Sequence, residues 1–225
     1  MNEWKEALSL SRYELKHSLI TYGLLFICLV MILILLVPTI GDYLERNTFG
    51  NDIFFLLIFI LIVQWCRPKF FKSQIDDRGL SVSHYVVMLN QLPIPKNILI
   101  KHRVLSYLLI SIPFHVSFLV LFYILSPVMR DMLSIGGYIA FAIFWICLSI
   151  YFGLSEIAAE AGFYKVPVIF RNTIIAIVIT FIIFIVFYQF SSIGFVHWIM
   201  ILSAKHPIIV SLLSLVLARL GMNYW

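Results

Sequence analysis

Long apolar runs without charge are the feature that most constrains how this chain folds. Leu19–Ile40 carries no charged residue over 22 positions. As a helix, this run would cover the roughly 30 Å of a bilayer's hydrocarbon core. Of the 225 residues, 62% are hydrophobic and 12% are charged, whereas about 25% of a soluble domain is charged. These values predict an all-α polytopic membrane protein forming one domain, residues 1–225.

The apolar runs and the polar breaks between them predict six transmembrane helices. The expected spans are about residues 19–40, 53–67, 104–125, 133–155, 172–190 and 207–225. The second is short, because only 14 residues, Ile53–Cys66, are free of charge, and Arg67 would have to snorkel to the interface. Residues 1–18 place Trp4, Leu8 and Leu15 near one helical face, which predicts an amphipathic interfacial helix; a solvated lead-in is the alternative. The first apolar run is too long for a cleavable signal peptide.

The end of the chain allows two arrangements. One helix over residues 194–218 would put Lys205 near mid-membrane, which costs about 2.5–3.5 kcal/mol on insertion scales. The favoured alternative keeps residues 195–206 as a short re-entrant or outer interfacial segment. The last span then begins at Pro207, a residue that suits the first turn of a helix.

Basic residues set the predicted orientation. With six spans, 13 Lys and Arg residues fall in the segments on the side of the termini, and three, Arg46, Arg130 and Lys205, fall on the other side. Because cytoplasmic segments carry the excess of basic residues, both termini are expected in the cytoplasm.

One long polar segment, residues 67–103, interrupts the apolar chain between spans two and three. It holds seven basic residues against Asp76 and Asp77. In its middle, Val82–Leu89 is predicted to form a short apolar helix, which Leu92-Pro93-Ile94-Pro95 closes. A structured basic loop on the inner side is where we expect a soluble protein to dock, although the segment could instead pack on the bilayer as an interfacial loop.

Motifs for chemistry are missing from the sequence. There is no phosphate-cradling GxxxxGK[ST] run, no HExxH and no GxSxG. Cys28, Cys66 and Cys147 are far apart and predict no metal site or disulfide. The six His residues are scattered, so an enzyme is disfavoured, and the net charge of +5 reflects one membrane face and not nucleic-acid binding.

The central loop resembles that of the membrane (permease) subunit of type-2 ATP-binding-cassette exporters, in the small bacterial form without its own nucleotide-binding domain. The matching residues are Asp77-Arg78-Gly79, then Tyr85–Leu89, then Leu92-Pro93-Ile94, then Lys96, Lys101 and Arg103. The family's N-terminal interfacial helix, six spans, cytoplasmic coupling helix and re-entrant segment agree with the topology above. The short second span and small outer segments depart from the family's pattern.

The resemblance implies that a separate cytoplasmic ATPase binds ATP and Mg, since this chain holds no cofactor itself. It further implies a second permease subunit, in a homodimer or heterodimer, and a bacterial plasma membrane location. The expected contacts with the ATPase are Val82, Tyr85, Val86, Leu89, Leu92, Pro93, Ile94, Glu156 and Glu160.

Several alternatives remain open at the level of sequence. Glu156 and Glu160 share a helical face and could instead pair with Lys165 or Arg171. His115 could line a substrate path, although a helix-to-helix hydrogen bond is favoured. The apolar, Phe-rich spans favour an amphipathic or hydrophobic cargo such as a peptide, lipid or drug-like molecule. A different function with the same loop would be a membrane scaffold or sensor that recruits a soluble partner without transport.

Overall fold

The structure of the protein is a computed structural model. It describes residues 3–16, 19–46, 49–65, 73–75, 80–83, 91, 94–165, 175, 178, 182, 185–191 and 193–223. Tyr85, Val86, Leu89, Leu92 and Pro93, all predicted ATPase contacts, lie outside these residues.

Most of the described chain is helical. The first helices are α1 (Glu3–Lys16), α2 (Leu19–Arg46), α3 (Phe49–Ile60) and α4 (Ile62–Trp65), and the central ones are α5 (Lys96–Leu125), α6 (Pro127–Met132) and α7 (Ile135–Glu160). Helix α8 is described over residues 185–190, and residues 175, 178 and 182 before it are also helical. The chain continues with α9 (Phe195–Lys205) and α10 (Pro207–Asn223). The predicted break between two terminal helices is confirmed, with Pro207 in the first position of α10.

Three helices are long and apolar enough to cross a membrane: Ile20–Arg46, Asn97–Leu125 and Ile135–Gly153. Their outer faces carry large apolar side chains, such as Ile20, Phe26 and Ile34 in α2. A soluble monomer rarely exposes apolar patches of this extent, so the structure agrees with a membrane protein. The shorter apolar helices are Phe49–Ile60, Phe195–Lys205 and Pro207–Arg219.

A small sheet departs from the all-α prediction. Strands β1 (Ser73–Ile75), β2 (Leu80–Ser83) and β3 (Ala161–Lys165) form a three-stranded antiparallel sheet in the order β1-β2-β3. The predicted helix Val82–Leu89 is therefore wrong at its first two residues, because Val82 and Ser83 lie in β2 and pair with Gln74 and Ser73 of β1. The backbone donors and acceptors of this polar segment pair with a strand that follows α7, which no local pattern reveals.

Helix boundaries and one turn also differ from prediction. The second span was expected to begin at Ile53, after an outer segment ending in Asp52, but α3 begins at Phe49 and buries Asp52 completely. The segment at residues 126–131 was expected to be a turn but contains α6. Ser126 caps this helix, since its Oγ accepts a hydrogen bond from the N–H of Met129 at 3.3 Å, and Pro127 suits the first helical position.

An aromatic core joins α3, α5 and α7. Phe55 of α3 lies with its ring centroid 4.7 Å from that of Trp145 and 6.2 Å from that of Phe118. Phe59, one turn further along α3, stacks on His115 with centroids 4.9 Å apart. Edge-to-face and offset contacts of this kind favour one packing arrangement, so α3 is held firmly between α5 and α7.

Candidate functional site

The sheet brings together two segments that are far apart in sequence. Strands β1 and β2 belong to the basic segment 67–103, and β3 follows the end of α7. Leu80 pairs with Lys165 and Val82 pairs with Ala161. Because the strands pair directly, a displacement of the basic segment would be passed to the end of α7.

Four of the predicted ATPase contacts, Val82, Ile94, Glu156 and Glu160, lie among the described residues. Val82 lies in β2, whereas Glu156 and Glu160 lie in the last two turns of α7, directly before β3. Ile94 is half-buried just before α5. The carbonyl of Pro95 accepts hydrogen bonds from the N–H groups of Ile98 at 2.9 Å and Leu99 at 3.3 Å, so it starts the α5 helix. The register thus places the backbone of Val82 next to Ala161, the residue that follows Glu160. The basic segment itself ends within α5.

Helix α1 packs on the beginning of α5. Ser11 is buried there, and its Oγ lies 2.9 Å from the Nδ1 of His102 and 3.2 Å from the Oγ of Ser106. Glu3 forms an ion pair with Lys101, whose Nζ also lies 5.2 Å from the ring centroid of Trp4. The predicted N-terminal helix therefore exists, and these contacts tie it to the first turns of α5.

A row of buried polar residues, which we call the polar file, continues along α5. Arg103, Tyr107, Ser111 and His115 follow one another at four-residue spacing, and all four are buried. Such spacing places them on one helical face, over about 18 Å from the first to the last at 1.5 Å per residue. This file points into the interior of the helical bundle, where polar residues of a membrane protein are expected to lie.

Ser149 of α7 completes the polar file. Its carbonyl accepts a hydrogen bond from the hydroxyl of Tyr107 at 2.9 Å, and its Oγ lies 3.3 Å from the Nδ1 of His115. Ser111 adds a contact of 3.1 Å to the same Nδ1. His115 thus makes the helix-to-helix hydrogen bond that the sequence favours for it.

Asp52, in the first turn of α3, forms a second polar centre. It lies at the opposite end of this helix from Phe59. Its carboxylate accepts hydrogen bonds from the hydroxyls of Tyr43 in α2 and Tyr188 in α8. It also accepts from the N–H groups of Phe195 at 2.6 Å and Val196 at 3.0 Å, which are the first turn of α9. An acidic group at a helix N-terminus satisfies unpaired N–H groups and interacts favourably with the helix dipole. Asp52 therefore ties together α2, α3, α8 and α9.

Gly194 allows this approach. A Cβ at residue 194 would overlap the Tyr43 hydroxyl and lie 3.1 Å from Oδ2 of Asp52. The absence of a side chain lets the backbone before α9 come close enough for the N–H groups to reach the carboxylate. His197 extends the centre, since its N–H donates to the Tyr43 hydroxyl at 3.2 Å.

The chemistry of these sites is hydrogen bonding and packing. Among the described residues, no group of three or more His, Cys, Asp or Glu is placed to hold a metal ion. Comparison of the chain with protein-family models, curated proteins and solved structures finds no match.

The Asp52 centre and most of the polar file were not predicted from the sequence, in which Asp52 was expected to end an outer segment. The four-residue spacing from Arg103 to His115 is a signal that the sequence does contain. The partners of Asp52 come from three separate segments, so no local spacing could have identified them.

Proposed function

We propose that this chain is the membrane-spanning subunit of an ATP-driven exporter, in which a separate cytoplasmic ATPase supplies the energy. The sheet is the observation that carries the proposal. It joins the basic segment 67–103 to the end of α7, and the sequence has no phosphate-binding motif of its own. A soluble motor protein can move membrane helices only if it binds a structured polar segment that is connected to them. The sheet is such a segment.

The contacts around the sheet provide a route for that motion. The basic segment continues through Pro95 into α5, and β3 continues back into α7. Helix α5 meets α7 along the polar file from Tyr107 to His115. A displacement of the sheet would therefore be transmitted to both α5 and α7. Because these two helices pack on each other, it would change their relative position.

The remaining parts of the proposal follow the resemblance of the central loop. They are six spans with both termini in the cytoplasm of a bacterial cell, a second permease subunit, and an ATPase that binds ATP and Mg. The spans present mainly apolar surfaces, which suits an amphipathic or hydrophobic cargo. A scaffold or sensor would use the same inner assembly, but the ATPase activity of its partner would not respond to such a cargo.

Substituting residues of the predicted docking segment tests the proposal. Tyr85 and Leu89 are four residues apart, and we expect them to be apolar anchors in a groove of the ATPase. Loss of a central anchor typically costs 2 kcal/mol or more, which is roughly thirtyfold in affinity. Tyr85→Ala with Leu89→Ala should release or uncouple the ATPase and leave membrane insertion intact, measured as partner binding and as substrate-stimulated ATP hydrolysis.

The matched control changes two basic residues of the same segment. Lys69→Ala with Lys72→Ala should alter partner binding little, because these charges only orient the segment. If the lysine variant loses the ATPase and the Tyr85 and Leu89 variant keeps it, the docking surface is the basic run and the assignment of apolar anchors is wrong.

A further inference from the structure

The exposed face of α1 carries a line of basic residues. Lys5, Arg12 and Lys16 are all exposed, and Ser9 lies between them on the same face. At 3.6 residues per turn, the three basic side chains fall within an arc of about 40° and extend over about 16 Å along the helix. We call Lys5, Arg12 and Lys16 the basic stripe.

The opposite face of α1 is fixed to the protein. Ala7 and Ser11 are fully buried against α5, and Ser11 bonds within the cluster that includes His102. Glu3 pairs with Lys101 of α5, so its negative charge is directed toward the protein and not toward the basic stripe. The contacts of α1 with α5 therefore orient the basic stripe outward.

An apolar edge separates the buried face from the basic stripe. Trp4 is 51% exposed, and Leu8 and Leu15 are half-buried. A helix with this order of faces lies in the plane of a membrane surface, with its apolar edge toward the acyl chains. The long stems of Lys and Arg then reach from the helix to the headgroup layer. Trp is also common at this level of the bilayer.

We propose that the basic stripe binds the anionic headgroups of the membrane surface and that α1 passes this binding to α5. Charge selects the partner, since three aligned cations favour anionic lipid and gain nothing specific from a zwitterionic headgroup. Each basic residue near an anionic surface strengthens binding about fivefold. Because Ser11 and Glu3 hold α1 on α5, the lipid composition sets the position of the first turns of α5. These turns lead into the polar file. The inference needs the chain to lie in a membrane, and it does not depend on the exporter function.

Reconstituted full-length protein tests this inference. Ser9→Cys, in a background with Cys28, Cys66 and Cys147 replaced by Ser, would carry a fluorophore in the middle of the basic stripe. Quenching by the neutral solute acrylamide is measured in phosphatidylcholine vesicles with and without phosphatidylglycerol. We expect phosphatidylglycerol to protect the fluorophore. High salt should remove the protection, since ions screen exposed charges.

The variant Lys5→Gln, Arg12→Gln, Lys16→Gln should lose the protection by phosphatidylglycerol. Its matched control replaces three other exposed basic residues, Arg46, Arg130 and Lys205, by Gln and should keep it. Equal quenching in both vesicle types for the parent protein would overturn the proposal, as would equal loss in both variants. Protection that appears in phosphatidylcholine only when a cytoplasmic ATPase is added would also overturn it, because the stripe would then be a protein-docking surface.

Discussion

Replacing the buried Asp52 by Ala should destabilise the protein more than replacing Asp42, Glu45 or Asp131, which are exposed. The change removes the acceptor for the Tyr43 and Tyr188 hydroxyls and for the N–H groups of Phe195 and Val196. The Tyr43 and Val196 contacts are buried, and leaving a buried donor without an acceptor costs about 1–3 kcal/mol. Counting these two donors alone, we expect the free energy of unfolding to fall by about 2–6 kcal/mol.

Thermal unfolding of the purified protein in detergent measures this loss. For a chain of 150–250 residues, 1 kcal/mol changes Tm by about 2–4 °C, so Asp52→Ala should lower Tm by between about 4 and 24 °C. Asp42→Ala is the control, because Asp42 is the neighbour of Tyr43 in α2 but is exposed, and exposed substitutions usually stay within about 0.5 kcal/mol. If both variants unfold at the temperature of the parent protein, Asp52 does not hold α9 to α2 and α3, and the reasoning fails.

Two further outcomes follow from the helix packing and the predicted orientation. Gly153→Ala should destabilise the α5–α7 contact by about 1–3 kcal/mol, because a Cβ there would overlap the ring of Tyr107. The hydroxyl of this ring is held by Ser149. The control, Gly136→Ala in the same helix, meets nothing within 4 Å and should leave Tm unchanged. In a cysteine-free background, Lys205→Cys should react with a membrane-impermeant maleimide in intact cells, and Ser9→Cys should react only after lysis; the reverse pattern would invert the predicted topology.

The sequence predicts those parts of the fold that depend on neighbouring residues. Charge-free runs locate α2, α5 and α7, since a membrane helix needs about 20 apolar residues. Pro207 marks the start of α10 because proline lacks the N–H that a first turn leaves unpaired. Boundaries are less predictable. Helix α5 begins at Lys96, eight residues before the predicted span, because its polar first turns pack on α1 and need no lipid.

The parts that were missed depend on contacts between distant segments. Strand β2 pairs with β3 about 80 residues away. Its four residues, Leu80–Ser83, alternate apolar and polar side chains, which favours a strand, but so short a run does not identify the strand with which it pairs. Asp52 was expected to close an acidic outer segment before the second span, because a charged residue beside an apolar run normally marks the limit of that run. Its burial requires the two Tyr hydroxyls and the first turn of α9, which only the folded arrangement assembles.

The most direct test of the central proposal is whether an ATPase works through this chain. The protein should be purified in mild detergent together with the product of any neighbouring ATP-binding-cassette ATPase gene, then reconstituted in lipid vesicles for measurement of ATP hydrolysis. The account predicts that the ATPase copurifies at a fixed ratio and that amphipathic peptides or lipids stimulate its activity only when this chain is present. A complex without a nucleotide-binding subunit, or an ATPase activity indifferent to every candidate cargo, would contradict it.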